Sequence, residues 1–201
     1  MTSRAAFRDF EDASIPLRNS LRSIQDHADS SHTLPEYSPL KYCSTILENG
    51  ILVIFRRDVI HEARVTADYV HRNILSAMVS EGLSTEHKIG KINTFLSSNA
   101  FNKKRDTAVT VLNNARNLQN SIRGAEAYLF HLGFNPRSIV NRLDTVMTAI
   151  RVCTDMYTQV GELLKEVGSA LTQQTFSVEN VRYEAQWLST LSADLISFEA
   201  K

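Results

Sequence analysis

Apolar side chains recur at alternating steps of four and three residues through the later half of the chain. This spacing puts them all on one face of an α-helix. It predicts one continuous amphipathic helix from Pro136 to about residue 174, with Asn135 as its side-chain cap. A helix of about 55 Å, at about 1.5 Å per residue, needs partner helices along its whole apolar face. The ten apolar positions are Ile139, Leu143, Val146, Ile150, Cys153, Tyr157, Val160, Leu164, Val167 and Leu171.

A second long helix is predicted immediately before this one. Apolar residues again recur every three or four positions from Asp106 onward, and Gly133 is typical of a helix end. Because only a very short turn then leads to Pro136, we expect the two long helices to lie antiparallel. The predicted apolar face holds Ala108, Val111 or Leu112, Ala115, Leu118, Ile122, Ala125, Leu129 and Leu132.

Shorter helical patterns occupy the N-terminal part of the chain. Between Arg4 and Ser30 the apolar residues fit one or two helices, with Ser14 as a cap and Pro16 in a first turn. Residues 30–39 are typical of a connector. Pro39 then predicts a new helix start, at which Tyr37 and Tyr42 would pack together.

The stretch around Gly50 is ambiguous. Asn49-Gly50 between two apolar runs is a strong signal for a β-hairpin. An isolated hairpin is only marginally stable in water, however, so a helical neighbourhood favours a helix, either continuous or broken near Gly50. The hairpin remains the alternative. From Arg57 to Glu81 the pattern is helical, and Gly82 is its predicted end.

Two further helices complete the predicted fold. One runs from Ser84 to about Ser98 and is followed by a loop from Asn99 to Lys104; the last begins at Ser177, which caps it. Together these elements predict an all-α, elongated, mostly antiparallel bundle of five to seven helices, two of them long and heptad-patterned. We expect a single domain over residues 1–201, in which 1–37 form an N-terminal helical segment and connector and 38–201 form the main bundle.

Charge is balanced over the whole chain but not along it. The 22 Lys and Arg residues equal the 22 Asp and Glu residues, which gives no electrostatic basis for a nucleic-acid partner. The basic cluster Lys103, Lys104 and Arg105 is too small to change that expectation. Cationic residues are in excess within 51–153 and acidic residues in the two flanking segments, so we expect some terminal acids to pair with central cations.

The N-terminus and the cysteines bear on the compartment. Residues 1–9 lack the apolar stretch of a secretory signal, and no later segment is apolar over a bilayer's width. Cys43 and Cys153 fall in helical segments, which favours two buried, reduced thiols over a disulfide. We therefore expect an intracellular, cytoplasmic protein.

Residues capable of catalysis do not form a recognisable site. Asp68 and His71 are the two members of a polar helical face close enough to share a metal ion, which makes a metal-dependent bundle enzyme one hypothesis. A solvated face with pairs inside the helix is the simpler interpretation. Neither cysteine has a neighbouring His to activate it, and no glycine-rich phosphate loop is present. We expect a non-enzymatic protein without metal or cofactor.

The favoured function is protein–protein interaction, either self-assembly or binding to another helical protein. Asn113, Asn117 and Asn120 form an uncharged amide stripe on the helix predicted from Asp106. Because Asn is a poor helix former and solvated faces favour Glu, Lys and Arg, such a stripe predicts a contact surface.

A membrane-acting protein, pore-forming or lipid-binding, is the main alternative. Its inserting element would be the densest apolar run of the chain, which Arg56 and Arg57 follow directly. A buried core segment is the simpler interpretation. The wider stretch from Tyr42 to Phe55 holds a single charge, Glu48, but its fourteen residues are too few to span about 30 Å of hydrocarbon. The run consists of Ile51, Leu52, Val53, Ile54 and Phe55.

Overall fold

A computed structural model describes residues 2–31 and 34–200 of the chain. Their regular structure is helical, with no strand among them, so the protein is an all-α helical bundle as predicted. Residues 32 and 33 of the predicted connector lie outside the described residues. The described part holds α1 (Ser3–Ser30), a 3₁₀ helix (Pro35–Tyr42), α2 (43–79), α3 (Thr85–Leu96), α4 (Asn99–Gly124), α5 (Glu126–His131), α6 (Pro136–Thr172) and α7 (Val178–Glu199).

The long helix α6 confirms the strongest sequence prediction. Its 37 residues run without a break, and Asn135 Oδ1 accepts a hydrogen bond from the Ser138 amide at 3.1 Å. All ten positions of the predicted apolar face are buried, none more than 7% exposed. Heptad, coiled-coil packing of the two long helices, their antiparallel arrangement and the elongated shape stay predictions.

The chain divides into two compact units. The first contains the chain up to Asp58 together with Ala108–Val152, and the second contains Val59–Thr107 together with the chain from Cys153 onward. The boundaries fall inside α2, α4 and α6, so each of these helices contributes residues to both units.

Helix α1 is one helix, and the predicted start at Ser14 is wrong. Pro16 lies in its interior, and the Ser14 hydroxyl donates a hydrogen bond to the Phe10 carbonyl at 2.6 Å rather than capping a new helix. The actual cap is Thr2, whose side chain accepts from the Ala5 amide. A proline inside a helix costs about 3 kcal/mol. Burial continues on both sides of Pro16, from Phe10 to Leu17, and this packing keeps the helix continuous.

The predicted packing of Tyr37 on Tyr42 is also wrong. Pro35–Tyr42 form a 3₁₀ helix, and 64% of Tyr42 is exposed. The Tyr37 ring instead stacks on Tyr128, with centroids 4.6 Å apart and planes at 15°. The tertiary contact with another segment of the first unit therefore replaces the local one.

The ambiguous stretch near Gly50 is helical, so the hairpin alternative is wrong. Helix α2 continues through it but widens into π-helical turns at Glu48–Leu52, Phe55–Ile60 and Val70–Leu75. In such turns an amide donates five residues back, as Val53 does to Glu48. Asn114 Nδ2 of α4 donates to the Gly50 carbonyl at 3.2 Å, which ties the first widened turn to α4.

The boundaries of α4 differ from the prediction at both ends. The expected loop from Asn99 to Lys104 is helical, because Ser98 Oγ accepts from the Phe101 amide and starts the helix earlier. At the other end α4 stops at Gly124, and α5 follows after Ala125. Gly133 has φ +84° and ends α5 rather than α4.

Ion pairs connect terminal acids to central cations within each unit, as the charge distribution predicted. In the first unit Arg56 Nη2 lies 3.3 Å from Glu11 Oε1. In the second, Arg64 Nε lies 2.5 Å from Glu199 Oε2. Both pairs are partly exposed, so each contributes about 1 kcal/mol or less.

Candidate functional site

The predicted amide stripe lies on the surface of the first unit. Asn113, Asn117 and Asn120 are all exposed on α4, and we call them the amide face. The Asn113 carboxamide accepts a hydrogen bond from Arg116, its neighbour in the same helix. The carboxamides of Asn117 and Asn120 bond to no residue in the described part of the chain. Their hydrogen-bonding groups are therefore open to solvent.

The opposite side of α4 uses amides differently. Asn114 donates to the Gly50 carbonyl, and Gln119 Nε2 donates to the Val140 carbonyl at 3.2 Å. Gln119 is only 5% exposed. Inward-facing amides of α4 thus join it to backbone carbonyls of α2 and α6 inside the first unit.

A small cavity of about 500 Å³ adjoins the amide face. Asn120, Ser121 and Gly124 of α4 form one wall, and Tyr37 and Leu40 of the 3₁₀ helix lie opposite. A Cβ added at Gly124 would meet nothing within 4 Å, so the end of α4 is open here. The sequence prediction included Asn120 but not this cavity, because the position of the 3₁₀ helix depends on tertiary packing.

The apolar run proposed as a membrane-inserting element is mostly interior. Ile51, Leu52 and Phe55 are fully buried, while Ile54 is half-buried and 43% of Val53 is exposed. The Phe55 ring packs on Phe10 of α1 with centroids 4.9 Å apart. The membrane hypothesis thus loses its specific support, and it stays an untested prediction. Among the described residues, no helix combines the length and the apolar character needed to cross a bilayer.

The polar face of α2 joins two helices of the second unit. His61 Nδ1 and Arg64 Nε both contact the carboxylate of Glu199, at 2.8 and 2.5 Å, near the end of α7. Hydrogen bonds from His61, and then from Arg64, lower the pKa of Glu199. Because all three side chains are engaged with one another, this contact stabilises the packing of α2 on α7.

The two residues proposed as metal ligands do not acquire further ones. The Asp68 carboxylate pairs with Arg72 one turn along α2, at 2.8 Å. Across the described part of the chain, no group of three or more His, Cys, Asp and Glu side chains is placed to hold a metal ion. Asp68 is therefore engaged by a cation of its own helix, and the metal-enzyme hypothesis gains no support.

Two of the three residues of the basic cluster form ion pairs within the chain. Lys104 Nζ lies 2.6 Å from Glu62 Oε2, and Arg105 pairs with Asp106. Because α4 begins at Asn99, the cluster lies inside this helix and not directly before the start predicted at Asp106.

Both cysteines are free and buried, as predicted. The Cys43 thiol donates to the Leu21 carbonyl at 3.3 Å, and burial raises its pKa to about 12. Burial also raises the pKa of Cys153. A thiolate, the reactive form, is therefore disfavoured at both positions.

A cleft in the second unit was missed from the sequence. It measures about 860 Å³ and is lined by α2, α3 and the first turns of α4, with the aromatic residues Tyr69, Phe95 and Phe101 on its walls. We call it the α3 cleft. The one sequence feature that could have indicated this cleft is the weak apolar face of α3. Ile92 is the one fully buried residue of this helix.

Comparison of the chain with models of protein families, with curated proteins and with solved structures found no match.

Proposed function

We propose that this protein is a non-enzymatic helical bundle that acts through protein–protein interaction, and that its first partner is a second copy of itself. The contact surface is the amide face of Asn113, Asn117 and Asn120. Two such faces meet across a two-fold axis, which is the commonest symmetry of protein dimers.

This proposal rests on the difference between the inward-facing and the outward-facing amides of α4. On the inner side, Asn114 and Gln119 donate to main-chain carbonyls of neighbouring helices. On the outer side, Asn113, Asn117 and Asn120 are exposed at a spacing of four and three residues. These outer amides supply hydrogen bonds to the amides of a second copy.

The chemistry of carboxamides favours a symmetric contact. Each carboxamide carries both donors and an acceptor, so a surface of amides is complementary to its own copy. A stripe of Glu or Lys would repel its copy instead. The zero net charge of the chain also leaves no general repulsion between two molecules.

The cavity beside Asn120 adds shape complementarity to the contact. This cavity, of about 500 Å³, receives a protruding side chain of the second copy between Tyr37 and Gly124. A contact that combines hydrogen bonds with a filled pocket gives affinity as well as register.

Light scattering behind a sizing column, over a wide range of concentrations, tests the proposal. Wild type should form a dimer. A variant with Asn113→Glu, Asn117→Glu and Asn120→Glu should dimerise about 100-fold more weakly, because six carboxylates then face one another.

The matched control carries three glutamates on a different exposed surface. Gln186, Thr190 and Ala193 of α7 are exposed and have the same spacing of four and three residues. Their replacement by Glu adds the same charge and should leave the dimer intact. A wild type that stays monomeric at the highest concentration overturns the proposal, and so does equal weakening by both triple variants. Circular dichroism confirms that each variant is folded.

A further inference from the structure

We propose that the α3 cleft binds a small aromatic anion, a compound with one flat ring system and one carboxylate or sulfonate group. This site lies in the second unit and is independent of the amide face. Its volume of about 860 Å³ lies within the range of small-molecule sites in proteins.

Aromatic side chains form one wall of the cleft. The Tyr69 ring stacks on Phe95, with centroids 5.7 Å apart and planes at 21°, and Phe95 contacts Phe101 at 4.8 Å. Although Tyr69 is a large residue, 46% of it is exposed. A flat ring in the cleft would cover this surface and gain both apolar burial and stacking.

Helix α3 leaves this wall incompletely covered. Among its larger apolar residues Ile89, Ile92, Phe95 and Leu96, only Ile92 is buried. Gly90 and Thr94 lie on the cleft side of the same helix. Because Gly90 has no side chain, the cleft keeps open the space that an ordinary helical residue would fill.

The wall of the cleft also contains one nearly buried polar residue. Thr66 lines the cleft yet is only 3% exposed. Its side chain lies beside the Tyr157 hydroxyl, and Tyr157 itself is 1% exposed and does not line the cleft. This part of the wall therefore offers a ligand mainly apolar surface.

One cation of the cleft is available to an anionic ligand. Lys91, Lys104 and the acid Glu86 line the cleft. Lys104 pairs with Glu62, whereas neither Lys91 nor Glu86 forms an ion pair with a described residue, so an anion must contact Lys91 on the side away from Glu86. The N-terminal end of α3, capped by Ser84, adds the positive end of a helix dipole on the same side. The anionic group is therefore placed near Lys91 and the ring near Tyr69.

The test uses 8-anilinonaphthalene-1-sulfonate, an aromatic anion whose fluorescence rises on transfer from water to an apolar site. Wild type should bind one molecule saturably, with a dissociation constant of tens of micromolar. Gly90→Leu should weaken binding about 10-fold or more, because the new side chain occupies the cleft. A Cβ at Gly90 meets nothing within 4 Å, so the substitution is accommodated.

The matched control is Gly161→Leu in α6. Gly161 is also inside a helix of the second unit, has the same open space around a Cβ, and does not line the cleft. This variant should bind the probe as wild type does. Lys91→Gln should weaken binding several-fold and reduce its dependence on salt.

Two results overturn the proposal. One is equal binding by the Gly90→Leu and Gly161→Leu variants, and the other is a wild-type signal that does not saturate at one molecule. If Lys91→Gln binds as tightly as wild type, the anionic part of the proposal fails. Thermal unfolding of each variant shows that the fold is intact, and none of these results depends on the oligomeric state.

Discussion

Glu199 and Arg64 lie 2.5 Å apart, Oε2 to Nε, and this pair joins the end of α7 to α2 within the second unit. His61 donates to the other oxygen of the same carboxylate. The two contacts keep Glu199 ionised to a lower pH than a free glutamate, whose pKa is 4.5. The last turn of the described chain is thus held by a carboxylate that titrates.

The first prediction concerns acid. Because the folded-state pKa of Glu199 is lowered, its contribution is complete above pH 4.5 and is lost as the pH falls through the lowered value. Glu199→Gln should therefore reduce the free energy of unfolding by about 1 kcal/mol near neutral pH and by progressively less in acid. Fluorescence of Trp187, the only tryptophan, reports the unfolding of α7.

Glu184→Gln is the control for this experiment. Glu184 belongs to the same helix and forms no ion pair with a described residue. Its replacement should change stability little at any pH. If the free energies of unfolding of Glu199→Gln and wild type differ by the same amount at every acid pH, the charge of the carboxylate is not what stabilises the contact.

The second prediction concerns the buried hydroxyl of Tyr157. Tyr157→Phe removes the unpaired group but keeps the edge-on ring contact with Phe101, whose centroid lies 5.8 Å away. The free energy of unfolding should stay the same or rise by about 1 kcal/mol. Tyr157→Ala, which also removes the ring, should lower it by about 3 kcal/mol or more. Urea unfolding measures both, and a clear loss in the Phe variant would reveal a partner for the hydroxyl.

The third prediction compares two helix ends that share one geometry. Gly133 and Gln174 have φ of +84° and 59°, and each follows a helix whose last carbonyls are bonded by the next amides. Only glycine adopts this conformation without strain. Gly133→Ala should destabilise the protein by about 1 kcal/mol, and Gln174→Gly should stabilise it by a similar amount.

Gly161→Ala serves as the reference for these changes. This glycine lies in the interior of α6 with open space around it, so alanine there should stabilise the protein by about 0.5–1 kcal/mol through helix propensity. Thermal unfolding shows whether each substitution raises or lowers stability. The same sign for alanine at positions 133 and 161 would contradict the assignment of Gly133 as the left-handed end of α5.

The fourth prediction concerns alkali and the two thiols. Burial raises the pKa values of Cys43 and Cys153 above the ordinary value of 9.0, so their contribution is complete below pH 9.0 and is lost as the pH rises beyond it. Stability should fall by up to about 1.4 kcal/mol per pH unit for each thiol. The double variant with alanine at both positions should show a shallower alkaline decline.

Thiol reactivity provides a second measurement on the wild type. Ellman's reagent should modify neither cysteine at the rate of a free thiol while the protein is folded, and both should react in urea. Fast modification of one thiol in the folded protein would show that its segment opens locally.

Regular periodicity made some elements predictable and left others open. The apolar face of α6 follows one spacing over its whole length, and no alternative structure uses that spacing. Near Gly50 the apolar residues are consecutive, so their pattern fits a strand as well as a helix. Burial of Ile51, Leu52 and Phe55 in π-helical turns is decided by packing against other helices, which no local signal contains.

Prolines and serines were the main source of wrong boundaries. Pro16 and Ser14 are typical of a helix start, yet both lie inside α1, where packing on each side outweighs the cost of the proline. Ser98 caps α4, which begins at Asn99, seven residues before the start predicted at Asp106, since the polar residues after Ser98 concealed the apolar pattern. The α3 cleft was beyond sequence analysis because its walls come from three separate helices.

The widened turns of α2 affect which single-residue deletions the protein can tolerate. A π-helical turn holds one residue more than an α-helical turn, so each such turn has a residue to spare. Loss of a single codon there would convert the turn into an ordinary one, whereas the same loss within α6 would rotate every later apolar side chain out of register. Among evolutionary variants of this protein, single-residue deletions should therefore be more frequent in α2 than in α6.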